Sequence, residues 1–174
     1  MKNIIITLFF AAIATVGLAQ TTKKVEPKWQ DFSTTINAAQ EKITMVYVYN
    51  NDARWNGAIT EETILADSTV IKALLKDFIS VKFDSETKEE VVVKGQKYPF
   101  ADFGEGNGYN VYTIVLLGGK MGYPTFVFLD KEGEKIGSHF PVKDAAEFLL
   151  ILKYYSSGAY KEKDASYEEW VKKQ

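Results

Sequence analysis

Apolar residues along this 174-residue chain fall into short continuous runs that are separated by polar turns. The run 43–49 is rich in β-branched and aromatic residues and ends at three polar residues, a pattern typical of a buried strand. Similar runs at 78–83 and 125–129 predict two more strands. A tight-turn sequence follows the last run, so residues 134–140 are predicted to pair back onto it as a hairpin.

Helical spacing of apolar residues occurs in other segments. A helix that begins near Trp29 is predicted to place three residues on one face, namely Phe32, Ile36 and Ala39. Asp67 can cap a second helix, whose apolar positions are predicted to face one side: Val70, Ile71, Leu74 and Leu75.

The C-terminal part of the chain predicts two further helices. Asp144 and Glu147 have the spacing of a capping box ahead of a strongly apolar segment that runs to Tyr155. A short polar helix at about 164–173 follows and carries Tyr167 and Trp170.

Residues 85–120 form an insertion between the second and third predicted strands. A hairpin is predicted with its turn near Gly95, and a helix is predicted from Tyr109 to Leu117, where Gly118 can end it. Helices and strands therefore alternate before the final hairpin. This order predicts an α/β fold with a mixed central sheet flanked by helices and interrupted by an inserted hairpin and loop.

The N-terminus has the features of a secretory signal peptide. Lys2 precedes the apolar run 4–18, and the small residues Gly17 and Ala19 predict cleavage after Ala19. The run is shorter than the roughly 20 apolar residues of a membrane span, and no cysteine follows for a lipid anchor. We therefore expect a signal peptide at 1–19 and a single exported domain at 20–174, periplasmic or secreted, with no membrane anchor after cleavage.

Composition narrows the possible functions. The formal net charge is −2, which argues against nucleic acid as a partner because such a partner needs a basic face. The chain contains no cysteine, so it has no thiolate for attack on a disulfide.

Two sequence elements resemble those of exported bacterial thioredoxin-like proteins. Glu62-Thr63-Ile64, with Asp67 and Val70 beyond it, is similar to the downstream half of that family's redox block. The element Tyr123-Pro124-Thr125 before the strand 125–129 resembles the family's cis-proline element. The resemblance covers a core of about 29–155.

The resemblance implies a thioredoxin-like fold with a degenerate, cysteine-free redox motif. It places the two redox positions at Ala53 and Asn56, with Arg54 and Trp55 between them, and it implies a cis peptide bond before Pro124. Disulfide reduction or isomerisation is excluded, because no residue can form the mixed-disulfide intermediate.

A non-catalytic or chaperone-like module is therefore the favoured function. It would bind a protein or peptide partner through Arg54, Trp55, Tyr123 and Pro124. Two alternatives stay open, namely an enzyme with non-thiol chemistry on the same scaffold and a structural subunit of an envelope assembly. No catalytic residue is assigned.

Other candidate chemistry is weak. His139 is the only histidine, and a metal site needs several ligands, so no metal or cofactor is expected. The loop Gly104-x-Gly106-x-Gly108 lacks the spacing of a dinucleotide fingerprint. Four carboxylates alternate with lysines, as on a solvated edge: Asp84, Glu86, Glu89 and Glu90.

Aromatic residues in the insertion allow two interpretations. They form either an interaction patch or a cover for the edge of the sheet. The residues are Tyr98, Phe100, Phe103, Tyr109 and Tyr112.

Overall fold

A five-stranded mixed sheet forms the centre of the computed structural model, which describes residues 26–51, 57–104, 107–162 and 166–174. In chain order the elements are β1 (Trp29–Gln30), α1 (Phe32–Ile36), β2 (Ile43–Tyr49), α2 (Gly57–Thr63), α3 (Ser68–Asp77), β3 (Phe78–Asp84), β4 (Val91–Val93), β5 (Gln96–Tyr98), β6 (Phe100–Asp102), β7 (Gly108–Asn110), α4 (Tyr112–Leu117), β8 (Thr125–Leu129), β9 (Lys135–His139), α5 (Ala145–Ser156), a 3-10 turn (Ala159–Lys161) and α6 (Tyr167–Val171).

The sheet has the strand order β1-β3-β2-β8-β9. β1 and β2 run parallel to β3, whereas β8 is antiparallel to both β2 and β9. The three predicted strands thus share one sheet, and the predicted hairpin partner of β8 is β9. Because Val48 pairs with Thr125, the carboxyl end of β2 meets the amino end of β8.

Side chains alternate between the two faces of the sheet along each strand. Helices cover both faces, so the side chains on each face are buried. One face packs against α3 and α5 through large side chains that include Tyr47, Phe126 and Phe128. The other face packs against α1 and α4 and includes Val46 and Val127. This burial on both sides explains why the strands read as continuous apolar runs.

Helix starts follow the predicted caps. The Asp67 carboxylate accepts hydrogen bonds from the backbone N–H groups of Thr69 and Val70 at the start of α3. Asp144 accepts from the Glu147 N–H at 2.8 Å. In a capping box the Glu147 carboxylate would accept from the N–H of Asp144. It accepts instead from the N–H of Lys143, one residue earlier in the chain.

The first predicted helix is wrong at both ends. Trp29 lies in β1, where it pairs with Ser80 of β3, and Asp31 caps α1 by accepting from the Thr34 N–H. The helix stops at Ile36 because the Asn37 amide bonds back to Ser33 and across to the carbonyl of Val92 in β4. Ala39 is therefore outside the helix.

The predicted apolar face of α3 is too wide. Val70, Ile71 and Leu74 are buried, but Leu75 is 48% exposed. It lies one position beyond Leu74, which turns its side chain about 100° away around the helix axis.

The insertion contains the predicted β4–β5 hairpin, with Lys94 and Gly95 at positive φ in its turn, and a second hairpin, β6–β7, that was not predicted. Tyr109 lies in β7, so α4 begins at Tyr112 and not at Tyr109. α4 ends as predicted at Gly118, which has a φ of 64°.

The C-terminal helix α6, Tyr167–Val171, is shorter than the predicted 164–173. Ser166 caps it by accepting from the Glu169 N–H, which sets its start. Within the described ranges, no helix is both long and apolar enough to cross a membrane.

Candidate functional site

The loop before β8 holds the predicted cis peptide bond between Tyr123 and Pro124, and both residues are buried. The Thr125 hydroxyl, at the start of β8, donates to the Gly122 carbonyl at 2.7 Å and so ties the loop to the strand. The loop lies at the amino end of β8. It therefore sits beside the carboxyl ends of β2 and β3, where ligand sites of α/β sheets collect.

Two large apolar side chains flank this loop on the protein surface. Phe140 follows β9 and is 49% exposed, and Met121 is 41% exposed. The Phe140 ring lies directly on Gly122, since a Cβ atom added there would come within 2.5 Å of the ring carbon Cε1. We call Met121, Gly122, Tyr123, Pro124 and Phe140 the cis-proline surface.

Ser85, fully buried just after β3, joins the loops around this surface. Its N–H donates to the Tyr49 carbonyl at 2.9 Å, and its own carbonyl accepts from the Asn110 N–H at 2.7 Å. Burial raises the pKa of the Tyr123 phenol, and the neighbouring Ser85 side chain opposes this rise. The ends of β2 and β7 are thus tied to Ser85, and Tyr123 of the cis-proline loop lies beside it.

A second polar network lies beside Ser85. Asp84 accepts from the Asn51 side-chain amide at 3.1 Å and from the Glu86 N–H at 2.9 Å. Glu86 accepts from the Asn51 N–H at 3.3 Å. These carboxylates hold the chain at the point where it leaves β2, so the two belong to a hydrogen-bonded network and not to a freely solvated edge.

Tyr47 and Lys82 attach α2 to the sheet. The Tyr47 hydroxyl donates to the Gly57 carbonyl at 3.2 Å, and burial, with the nearby Glu61 carboxylate, raises the pKa of this phenol. Lys82 Nζ lies 2.8 Å from a Glu61 carboxylate oxygen and 5.0 Å from the centre of the Trp29 ring. Together these contacts fix the start of α2 at the same end of the sheet.

The sequence-predicted residues of the degenerate motif lie outside the described residues. These are Ala53, Arg54, Trp55 and Asn56. Their described neighbours, Asn51 and Gly57, both lie beside the carboxyl end of β2. Of the predicted partner-binding set, the structure places Tyr123 and Pro124, which are buried between the exposed Met121 and Phe140.

His139 belongs to an aromatic cluster and not to a site. Its Nε2 lies 3.0 Å from the Tyr155 hydroxyl, and the Tyr167 ring of α6 stands edge-on to it at 4.8 Å. Burial lowers its pKa to about 4, against the smaller opposing effect of Glu168 and Glu147. In the described part of the chain, no three potential ligand residues converge as a metal site would require.

The insertion aromatics divide between the two interpretations. Tyr98 and Tyr112 pack against each other at 4.9 Å and cover the core beside Phe83. Phe103 is 64% exposed and contacts only the ring of Tyr109, at 5.2 Å, among the aromatic pairs of the described residues.

Sequence reasoning missed two residues that build the site, Ser85 and Asn110. Asn110 is fully buried, and its amide donates to the carbonyls of Glu89 and Tyr98 at 3.0 Å each. A signal for Ser85 existed, because the polar residue directly after a buried strand is where α/β sites form. The sequence holds no comparable signal for Asn110, which lies among other polar and glycine residues.

A cleft of about 580 Å³ lies at the end of the sheet opposite the cis-proline surface. Charges of both signs line it, including Lys42, Asp77 and Asp130. Lys42 Nζ donates to the Lys76 carbonyl at 2.6 Å, so this ammonium group already closes the end of α3. None of the sequence-predicted site residues lines this cleft.

No protein-family profile matches the sequence, and no curated protein matches it. Solved structures do. A thioredoxin from Thermus thermophilus is 23% identical, with a TM-score of 0.55 over 79% of this chain and 95% of that chain. A thioredoxin-fold protein from Helicobacter pylori is 15% identical, with a TM-score of 0.58 over 83% of this chain and 86% of that one.

A third structure, the DsbH oxidoreductase, is 14% identical, with a TM-score of 0.49 over 80% of this chain and 92% of that chain. At such low identities the two better superpositions bear on the fold alone. They agree with the mixed central sheet and its flanking helices. The chain has the thioredoxin fold and contains no cysteine.

Proposed function

We propose that this protein is an exported, non-catalytic module that binds an extended segment of a protein or peptide partner. The site is the cis-proline surface together with Arg54 and Trp55. The observation that supports it is the pair of large apolar side chains, Met121 and Phe140, which stand exposed on either side of the buried Tyr123-Pro124. Exposed apolar groups gathered at one site are typical of interaction surfaces.

The polar groups around the site favour binding over chemistry. Without cysteine no mixed disulfide can form. Asp84 and Glu86 accept hydrogen bonds from the backbone and from Asn51, so both carboxylates help to hold loops. A general acid or base would instead need to face a substrate position.

Matched surface variants test the site. Phe140→Ser and Leu75→Ser remove similarly exposed apolar side chains, 49% and 48%, at opposite ends of the sheet. Binding to an array of immobilised extended peptides is measured for both and for the native chain. We expect Phe140→Ser to weaken binding about tenfold, which corresponds to about 1.4 kcal/mol, and Leu75→Ser to leave it unchanged.

Equal binding by the two variants would contradict the site. Trp55→Ala supplies a second, independent variant on the Arg54-Trp55 side, and it should weaken binding to the same peptides. If the native chain binds no peptide but turns over a substrate or assembles stably with another envelope protein, the enzyme or structural-subunit alternative replaces this function.

A further inference from the structure

We propose that the β6–β7 hairpin extends the cis-proline surface and determines which partner it accepts. The partner is an extended segment with a large apolar side chain next to a lysine or arginine. This inference rests on the proposed function of the cis-proline surface. It adds the chemistry of the partner and assigns that selection to an inserted element outside the sheet.

The hairpin is anchored beside the cis-proline loop. Asn110 of β7 donates its N–H to the carbonyl of Ser85 at 2.7 Å, and the side chain of Ser85 lies beside that of Tyr123. The Asn110 side chain also holds α4, since its Oδ1 accepts from the Tyr112 N–H at 3.0 Å. Any partner that lies on the cis-proline surface therefore lies within reach of the hairpin.

Hydrogen bonds hold the described residues on the two sides of the hairpin turn. The Phe103 N–H donates to the Asn107 carbonyl at 2.8 Å, and the Gly104 N–H donates to the Asp102 carboxylate at 2.8 Å. Next to the turn, Gly108 pairs with Asp102 and leaves room for the Phe100 ring, because a Cβ atom there would overlap the ring carbon Cζ. Phe103 is thus held outward by the backbone.

Phe103 presents an aromatic surface to solvent. Its exposed fraction is 64%, the largest among the big apolar side chains of the described residues, and its ring leans on Tyr109 at 5.2 Å. Two aromatic rings that already pack on each other lose little conformational entropy when they bind an apolar side chain. This pair supplies the apolar part of the recognition.

Charge complementarity supplies the cationic part. Asp84, Glu86 and Asp102 carry carboxylates beside the hairpin and the loop after β3, and no lysine of the described residues forms an ion pair with them. Lys88 places its Nζ 6.0 Å from the centre of the Phe100 ring. A lysine or arginine stem can lie along an aromatic ring while its charge meets a carboxylate.

Two synthetic peptides test the inference with the full chain. Both are extended and contain tryptophan, and they differ only in having lysine or glutamate at the flanking positions. Fluorescence anisotropy measures their affinities. We expect the lysine peptide to bind at least about tenfold more tightly, with an affinity that falls as salt screens the charges.

Variants separate the hairpin from the rest of the surface. Phe103→Ser and Glu86→Gln should each weaken the lysine peptide by about five- to tenfold, a loss of about 1 kcal/mol, while Leu75→Ser has no effect. Glu86→Gln keeps an acceptor for the Asn51 N–H and removes only the charge. Unfolding midpoints are measured to show that each variant is folded.

The outcomes distinguish the two proposals. If Phe140→Ser weakens the lysine peptide but Phe103→Ser and Glu86→Gln do not, the hairpin inference fails and the proposed function stands. If the glutamate peptide binds as tightly as the lysine peptide, the inference also fails. If none of these variants changes binding, both proposals fail.

Discussion

Three polar side chains with no exposed surface show how single residues position the loops: Ser85, Asn110 and Thr113. Ser85 and Asn110 are hydrogen-bonded and join separate elements around the candidate site. Thr113 of α4 differs, because its hydroxyl has no hydrogen-bond partner within the described structure. A buried hydroxyl in this state destabilises the fold, since its bonds to water are lost without replacement.

We predict that Thr113→Val raises the free energy of unfolding by about 1 kcal/mol, because valine has the same shape without the hydroxyl. Thr125→Val is the matched control. Its hydroxyl donates to the Gly122 carbonyl at 2.7 Å, so its removal should lower the free energy of unfolding by a similar amount, about 1 kcal/mol. Urea titrations measure both. A loss of stability in Thr113→Val would contradict the prediction.

At the scale of elements, the β9–α5–α6 contact is built from aromatic side chains around a histidine. Tyr155 of α5 stacks on Phe128 at 4.0 Å and crosses β9 at Gly137, where a Cβ atom would lie 2.0 Å from its hydroxyl. The glycine therefore allows α5 to approach the edge strand. His139 fills the remaining space between Tyr155 and Tyr167.

This contact predicts a loss of stability in mild acid. Burial lowers the pKa of His139 from 6.5 to about 4, so the folded chain binds fewer protons than the unfolded chain between these values. The contribution of neutral His139 to the free energy of unfolding is fully present above pH 6.5. It falls as the pH drops towards 4, by up to about 3 kcal/mol. The carboxylates of Glu147 on α5 and Glu168 on α6 reduce this loss, because they favour the charged ring.

His139→Phe keeps an aromatic ring but cannot be protonated, so its unfolding free energy should fall less steeply over the same pH range. Urea unfolding of both proteins at several pH values measures the difference, and carboxylates common to the two cancel in the comparison. Parallel pH profiles would show that His139 does not contribute.

At the scale of the molecule, the thioredoxin fold is present without its thiols. The resemblance places Ala53 and Asn56 at the two redox positions, and this register remains a prediction because both residues lie outside the described ranges. The elements on either side, β2 and α2, are in place at the end of the sheet that carries the cis-proline loop.

Restoring the thiols tests the register. We predict that the native chain reduces insulin no faster than the blank. Ala53→Cys with Asn56→Cys should gain measurable reductase activity, because the restored C-x-x-C sequence directly precedes α2 in the chain. Ala53→Cys with Gly57→Cys, which shifts the spacing by one residue, should remain near the blank. Equal activity of the two double variants, or native activity above the blank, would contradict the prediction.

The sequence by itself determined the central sheet, the caps of α3 and α5, and the absence of thiol chemistry. These follow from local patterns, since a strand buried on both faces must be apolar throughout and a capping carboxylate acts within a few residues. The cis peptide bond before Pro124 followed from the resemblance and not from the residues alone, because most bonds before proline are trans.

Only the tertiary structure decided where the loops meet. Trp29 has the spacing of a helix but lies in β1 because β3 offers it an edge. Asn110 gains its role from the carbonyls of Glu89 and Tyr98, which lie 21 and 12 residues away in the sequence. The same Asn110 ties the hairpin that carries the exposed Phe103 to Ser85. Such contacts join residues whose sequence separation carries no periodic signal, so they appear only when the chain is folded.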